Sequence, residues 1–542
     1  MGRKVRQGHI LLAANITIGI LIAVYILWFT SSGRFWQFRG MENPYINLGE
    51  AFLHGQVSLL DQPDPRLLTL KLPYDAYKLL AVDKIPFIFD ASLYKGKYYL
   101  YWGPVPGLIF AAIQGVSGVR PASSLVVILC SIGLVAVTLL ILLQLREQFY
   151  RKAPALSVGL FLLAGTLSIP TIYLIGRPIV YESAISAGQF FLFLGLLGWL
   201  LYLKASKERW LSLAGLGWGL SIGSRYNLAI SVAVFLFFAL LQIWLPVYRD
   251  FRTWKKSSAK SVALLSPLIL CGLALLLYNY ARFGNPLETG IKYQLTTLID
   301  PSQYYSFSYV LPNLFQYLYF PFKQVAAFPF IESMALRKKL MPPWARFPDN
   351  KMTDIAMFGL APGVPVFRLL ALLLPLLVLA KVVPRKIPVS DDEARARSLR
   401  KWFAIMLALA GVLQFLFLLV YYYNAMRFMS DFYLALLLVV VMITWEFDEY
   451  LHTQRIIRSV YWMAVTLLVG WTASLGFFTG FTVLPQIFLY GNPLQYQALA
   501  VWMDQAHEVF AGLVHYAYVL LTMLKAPFRF LKHTLFPKQQ TQ

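Results

Sequence analysis

Two kinds of residue in this chain could do chemistry at a membrane: acids at the ends of apolar runs, and arginines where apolar runs turn. Glu42 stands in Arg39-Gly-Met-Glu-Asn-Pro-Tyr-Ile-Asn-Leu-Gly-Glu-Ala-Phe-Leu-His-Gly55, directly after the first apolar segment. Behind it Leu48, Ala51 and Phe52 recur at helical spacing, which predicts a short amphipathic helix on the membrane surface with an acid at its start. A carboxylate so placed can serve as a general base, or it can simply complement the helix dipole. Asp90 opens a second stretch, Asp90-Ala-Ser-Leu-Tyr-Lys-Gly-Lys-Tyr-Tyr-Leu-Tyr-Trp-Gly-Pro-Val-Pro106, and Glu182 closes the turn Gly176-Arg-Pro-Ile-Val-Tyr-Glu182.

The arginines are Arg177 in that same turn, Arg225 in Gly223-Ser-Arg-Tyr-Asn227, Arg282 at the end of an apolar run, and Arg427 in the turn before Asp431. Lys292 follows Arg282 in Tyr278-Asn-Tyr-Ala-Arg-Phe-Gly-Asn-Pro-Leu-Glu-Thr-Gly-Ile-Lys-Tyr293. A charge at the bilayer centre costs about 2.5–3.5 kcal/mol by insertion scales, so it faces the bundle interior or a watery cavity and takes a partner. Each arginine alone can be read as an ion-pair partner or as a snorkelling side chain. Four around one mouth make a place for an anion, and the guanidinium fork suits phosphate.

The elements that must position these residues follow from composition. The chain has 542 residues, 58% of them hydrophobic and 13% charged. Stretches of roughly 20 residues lack charge, the length needed to cross a bilayer. Spans must then be helices, because backbone groups in lipid are satisfied internally. The fold class is an all-α polytopic membrane protein. The net charge of +23 follows from Lys and Arg in cytoplasmic loops, and no nucleic-acid partner is read from it. Cys130 and Cys271 lie inside apolar runs and read as small core residues. The N-terminus has the basic start of a signal peptide, but its apolar run, Ile10 to Thr30, is too long for one and reads as a retained first span.

Twelve spans are expected, near residues 10–30, 124–145, 154–175, 184–203, 210–223, 227–246, 261–280, 365–383, 402–422, 431–445, 460–479 and 506–524. The short run 107–116 is expected not to cross. That choice sends Lys152, Lys207, Lys256 and Arg395 to one side, with both termini cytoplasmic in the plasma (inner) membrane. Two long external segments result, residues 31–122 and 283–362. The chain divides into a catalytic transmembrane module with the first external loop (1–282), the second external loop (283–362) and C-terminal helices (363–542). The acids, the four arginines and the aromatic runs Tyr304 to Phe322 and Val325 to Phe330 all fall on the external face. An acid, an arginine ring and aromatic interfacial segments suit a phosphate-headed lipid substrate, with the acid as base and the lipid tail between spans.

These residues resemble the GT-C glycosyltransferases, in the group of protein O-mannosyltransferases and lipid A aminoarabinose transferases (glycosyltransferase family 39-like). That group carries an acidic pair after span one, then Tyr-x-x-Leu and a glycine at the end of a surface helix. Tyr45, Leu48 and Gly55 fit this frame and put Glu42 on the second acid. Met41 takes the place of the first acid, a departure that weakens any metal role for the pair; no metal site is assigned, and a divalent metal stays open. The segment Tyr98 to Pro106 is similar to the family's proline-containing stretch before span two, while Arg282 to Gly290 and Arg427 to Phe432 resemble stretches of uncharacterised bacterial members. The resemblance implies a polyprenyl-phosphate sugar donor, an external acceptor (protein, lipid or glycan) and a single inverting displacement. Glu42 is then expected to be the base; from their positions at external span ends Arg225 and Arg282 are expected to contact the donor phosphate, with Arg177 and Arg427 secondary, and Lys292, Asp90, Glu182 and Tyr45 to bind substrate.

Three other readings compete. A lipid-linked-sugar transporter or flippase predicts inverted repeats or charge at the bilayer midplane; here polar residues gather at one end of the spans. An O-antigen polymerase or ligase would also place arginines outside, and the acid after span one favours the GT-C reading. A non-catalytic envelope scaffold leaves the ring of charge without a purpose.

Overall fold

The computed structural model describes residues 2–38, 43–71, 73–296, 303–334, 341–346, 352–353, 358–382, 391–483, 486–509 and 511. It is helical, with only two-stranded ribbons between helices. Among the described residues eight helices are long and apolar enough to cross a membrane: Gly8–Thr30, Leu125–Phe149, Val180–Ala205, Tyr226–Tyr248, Phe251–Phe283, Arg397–Leu419, Met426–Leu451 and Arg455–Thr482. A ninth span is formed if Ser157–Thr166 and Ile169–Gly176, bent by 50° at Leu167–Ser168, are counted as one.

Twelve spans are therefore not reached among the described residues. The helix Arg209–Ser224 has 16 residues, short of a full crossing, and Arg368–Val382 is described only as far as Val382. The run expected at 506–524 is helical as far as 509, and most of it lies outside the described residues. The segment 107–116 folds as Val105–Ser117, 13 residues and roughly 20 Å, which is too short to span.

Two ends of the bundle differ. At one end the basic loops meet. Arg400 pairs with Glu446 at 3.3 Å and Glu449 at 3.1 Å and donates to the Phe149 carbonyl. Arg458 pairs with Asp448 at 2.6 Å and donates to the Lys152 carbonyl, and Lys204 meets Glu147 at 2.8 Å. At the other end lie Glu182, Arg225 and Arg427. The helix Val180–Ala205 joins the two ends, with Glu182 in its first turn and Lys204 in its last; its 26 residues make it about 39 Å long.

The surface helix exists, but its start differs from expectation. It runs Pro44–Leu53, with Asn43 as N-cap accepting from the Tyr45 amide at 3.1 Å and Pro44 at its first position. Glu42 precedes the cap and lies outside the described residues. The helix ends at Gly55, whose φ of +72° suits a residue without a Cβ. It packs against Val105–Ser117 through Gly49 and Gly107, where a Cβ at Gly49 would stand 3.0 Å from the Gly107 carbonyl oxygen. Two helices this close need glycine at the crossing.

Candidate active site

Asp90 is buried, 6% exposed, at a left-handed φ of +62°. Its loop is pinned to the start of the second external segment: the Asp90 amide donates to the Leu295 carbonyl and the Leu295 amide to the Ala91 carbonyl, both at 2.8 Å. Ser92 Oγ adds a bond to the Gly290 carbonyl at 2.9 Å. The next residues form a hairpin, Ser92–Tyr94 against Lys97–Tyr99. Its turn residues Lys95 and Gly96 both have positive φ, as a two-residue type I′ turn requires. The hairpin sends Lys95 and Lys97 to solvent, whereas sequence proximity set them beside Asp90. The carboxylate is met instead by the Tyr181 hydroxyl on Oδ2 and by Gln294 Nε2 on Oδ1 at 2.8 Å. Burial pushes the Asp90 carboxyl above its usual range, while hydrogen bonds from Tyr181, Thr296 and Gln294 and the charge of Arg427 pull the other way.

Tyr181 and Glu182 open the helix Val180–Ala205. Arg427 is 4% exposed, with its guanidinium 4.5 Å from the Tyr181 ring centroid and 4.0 Å from Glu182 Oε1. Arg177 follows the helix Ile169–Gly176, reaches the Tyr173 hydroxyl at 3.5 Å and feels the charge of Glu182. Thus Asp90, Glu182, Arg177 and Arg427 belong to one cluster, as the common face predicts. Asn43 ties the surface helix to the same cluster: its Nδ2 donates to Ser183 Oγ and to the Ser123 carbonyl, both at 3.0 Å.

Arg225 sits otherwise. Its guanidinium grips Asp431 through Nε at 3.0 Å and Nη2 at 2.8 Å, and Asn227 and Gln189 complete the carboxylate's shell at 2.9 and 3.4 Å. Asp431 has a fully buried side chain. The ion-pair partner of Arg225 is thus Asp431, 206 residues away. Arg282, 3% exposed, donates to the Leu100 carbonyl and to Asn279 Oδ1, and its guanidinium lies 4.0 Å from the Tyr278 ring centroid. Among the described residues no carboxylate pairs with it. Tyr45 is buried, and its hydroxyl donates to the Gly103 carbonyl at 3.1 Å. Lys292 is more than half exposed and tied to Glu288 at 2.6 Å, apart from the cluster.

The stretch around Gly103 is held by backbone. A Cβ on Gly103 would stand 2.0 Å from the Gly223 carbonyl oxygen, so the loop carrying Tyr101 and Trp102 lies directly on the turn carrying Arg225. Trp102 then meets Tyr181 edge-on at 5.3 Å. Sequence reading missed Tyr181, Gln294 and Asp431 as site residues. Tyr181 could have been found from its place one residue before Glu182; the other two are brought in only by tertiary packing. Among the described residues no group of three metal-ligating side chains occurs.

Residues 88–285, a little over a third of the chain, match the family model of dolichyl-phosphate-mannose-protein mannosyltransferases. Over that segment, which holds Asp90, Arg177, Tyr181, Glu182, Arg225 and Arg282, the chain is similar to that family. Comparison with curated proteins finds no match. Among solved structures the chain is similar to the oligosaccharyltransferase of Archaeoglobus fulgidus (14% identity, TM-score 0.47, 86% of this chain and 56% of that one). It is also similar to ArnT from Cupriavidus metallidurans bound to undecaprenyl phosphate (13% identity, TM-score 0.39, 89% of this chain and 78% of that one). A further match is the Archaeoglobus AglB in complex with an inhibitory peptide and a dolichol-phosphate (13% identity, TM-score 0.38, 86% and 55%). The chain spans little more than half the length of the oligosaccharyltransferase.

Proposed function

We propose that the protein moves a sugar from a polyprenyl-phosphate-linked donor to an acceptor at the external face, by a single inverting displacement. The observation that carries this reading is the buried cluster of Asp90, Tyr181, Glu182, Arg177 and Arg427, built largely within the segment that matches a glycosyltransferase family. Such a reaction needs a base for the acceptor hydroxyl and positive charge where the phosphate leaves. Arg177 and Arg427 supply the charge, in a setting closed to bulk water that strengthens it. Arg225 is committed to Asp431, so its part is to hold the turn on which the site rests. Arg282 holds the Leu100 carbonyl, and with it the loop above the site. Asp90 binds sugar hydroxyls. Glu42 is the base: its chain neighbour Asn43 is anchored to Ser183, one residue from Glu182. On this reading the protein lies in the plasma (inner) membrane with both termini cytoplasmic. The motive is that Arg400, Arg458, Lys152 and Lys204 gather at the end opposite the cluster, as positive-inside topology requires.

The test is transfer of labelled sugar from polyprenyl-phosphate donors by purified protein in lipid nanodiscs, with donor binding measured separately. Glu42→Gln is expected to keep donor binding and to lose transfer by a factor of about 100 or more, as loss of a general base does. Near-normal turnover by folded Glu42→Gln at saturating donor would move the role to Asp90.

A further inference from the structure

The basic end of the bundle is not uniform. Arg400, Arg458 and Lys204 are each held by an acid, but the turn between the spans Tyr226–Tyr248 and Phe251–Phe283 is built differently. It lies at the same end, since Lys260 Nζ stands 5.7 Å from the ring of Tyr202, which shares the last turn of its helix with Lys204. Over residues 244–260 the sequence carries five bases, Arg249, Arg252, Lys255, Lys256 and Lys260, and one acid, Asp250. That acid is spent on the backbone: its Oδ1 accepts from the Arg252 amide at 3.0 Å and caps the helical turn that follows. Thr253 Oγ1 closes the turn on the Asp250 carbonyl at 2.8 Å. Just behind it the two helices are locked together, by Trp244 Nε1 on Ser261 Oγ at 2.9 Å and by Ser257 Oγ on the Ile243 carbonyl at 2.8 Å.

Arg252, Lys255 and Lys256 are exposed, and among the described residues none of them meets a carboxylate. Beside them stand rings with little protein cover: Tyr248 is 91% exposed, Phe251 75% and Trp254 42%, with Lys255 Nζ 5.9 Å from the Trp254 ring. Apolar exposure continues from Tyr248 back along its helix through Trp244, Leu241 and Phe237, at steps of three or four residues that keep one face. The stripe is roughly 16 Å long at 1.5 Å per residue. That is about one leaflet of a hydrocarbon core some 30 Å thick. Cations and aromatic rings thus sit at the head of an apolar strip one leaflet deep. A free phosphate has no use for the strip, and an uncharged lipid none for the cations. A phospholipid with an anionic headgroup uses both.

We propose that the turn 248–256 binds an anionic phospholipid, whose phosphate meets Arg252, Lys255 and Lys256 and whose acyl chains lie along the stripe from Tyr248 to Phe237. The proposal is independent of the glycosyltransferase reading and uses none of its residues. Full-length protein, purified in detergent, is titrated with phosphatidylglycerol or with phosphatidylcholine and read by native mass spectrometry. The wild type is expected to prefer phosphatidylglycerol. The combined substitution Arg252→Gln, Lys255→Gln and Lys256→Gln is expected to lower that affinity by about 100-fold, at about fivefold for each base beside an anionic lipid, and to leave phosphatidylcholine unchanged. Lys204→Gln, at the same end but spent on Glu147, is expected to alter neither. Should the combined variant not fold, the wild type in about 1 M salt is the second measurement: the Debye length falls to about 3 Å, and the preference for phosphatidylglycerol should vanish. Equal affinity of the wild type for the two lipids would overturn the proposal. So would unchanged phosphatidylglycerol binding by the folded variant, or a loss shared equally by both lipids, since charge would then have no part in it. Full displacement of the lipid by millimolar inorganic phosphate would make the turn an ion site, and displacement by a Glu-rich peptide a protein-docking site; either result would overturn the lipid assignment.

Discussion

The two ends of the bundle use arginine in opposite ways. At the basic end Arg400 is met by two acids, Glu446 and Glu449, set three residues apart on one helix, and it packs over Tyr150 at 5.1 Å. Arg458 is met by Asp448 of the same helix, whose Oδ1 also accepts from Trp462 Nε1 at 2.7 Å. Charge there is matched by acids from a neighbouring helix, and the pairs clamp helix ends together. At the other end Arg427, Arg177 and Arg282 lie among tyrosines, and the acids are deeper: Glu182 has no exposed surface and Asp90 almost none. Arg225, gripping Asp431 at 2.8 Å, is held there in the manner of the basic end. The comparison teaches that a buried arginine is not by itself a substrate contact. What distinguishes the candidate site is the mixture of acids, bases and rings drawn from four distant segments.

The largest test of that distinction is Arg225. Removing one member of a buried pair strands the other, at a cost of about 3–5 kcal/mol. Arg225→Ala is therefore expected to lose much of its thermal stability in nanodiscs, and Arg225→Lys to recover part of it, because the fork on Asp431 is lost. A variant as stable as wild type that fails to bind donor would return Arg225 to the substrate. Arg427→Ala comes next. It should weaken polyprenyl-phosphate binding by about 10- to 100-fold, the worth of a charged hydrogen bond of roughly 1.5–3 kcal/mol; donor binding unchanged in native mass spectrometry would make it another clamp. At the basic end Arg400→Ala is expected to cost about 1 kcal/mol, since its acids are partly exposed, and to leave transfer per folded molecule unaltered. A drop in transfer at equal folded protein would show that the two ends are coupled.

The smallest effect concerns pH. Because burial raises the Asp90 carboxyl, the folded protein holds that proton more tightly than the unfolded chain. Its contribution to stability is full below the ordinary carboxylate range and is lost as pH rises through the raised value. Asp90→Asn lacks this loss, so its melting temperature relative to wild type should climb over that window. A difference that stays flat with pH would mean that Asp90 is ionised throughout.

Much of this architecture was legible in hydropathy. The long spans were found because a bilayer demands some 20 apolar residues in a row, and Leu125–Phe149 or Val180–Ala205 could hardly be read otherwise. The helix after Glu42 was legible from Leu48, Ala51 and Phe52, but its cap was not, although Asn43-Pro44 is a start signal in its own right. The four arginines stood out because charge in short turns between apolar runs is costly. Their partners did not. Arg225 and Asp431, Asp90 and Tyr181, and Tyr304 and Tyr422 are separated by 206, 91 and 118 residues, and pairing across such distances follows from how helices pack, which no local pattern encodes. The short helix Arg209–Ser224 reads as a span because its apolar composition is clear while the missing turn or two is not.

The glycine at position 103 has a longer reach than its size suggests. A contact between two backbones has no rotamers to absorb a change, so a methyl group there must move the Gly223 carbonyl by more than 1 Å to reach an ordinary separation of about 3.5 Å. Two residues further on is Arg225, and its grip on Asp431 transmits the push to a helix that begins at Ser430. The loop of Trp102, the turn of Arg225 and the start of that helix therefore behave as one stiff joint. Its tolerance is set by the smallest side chain in the molecule.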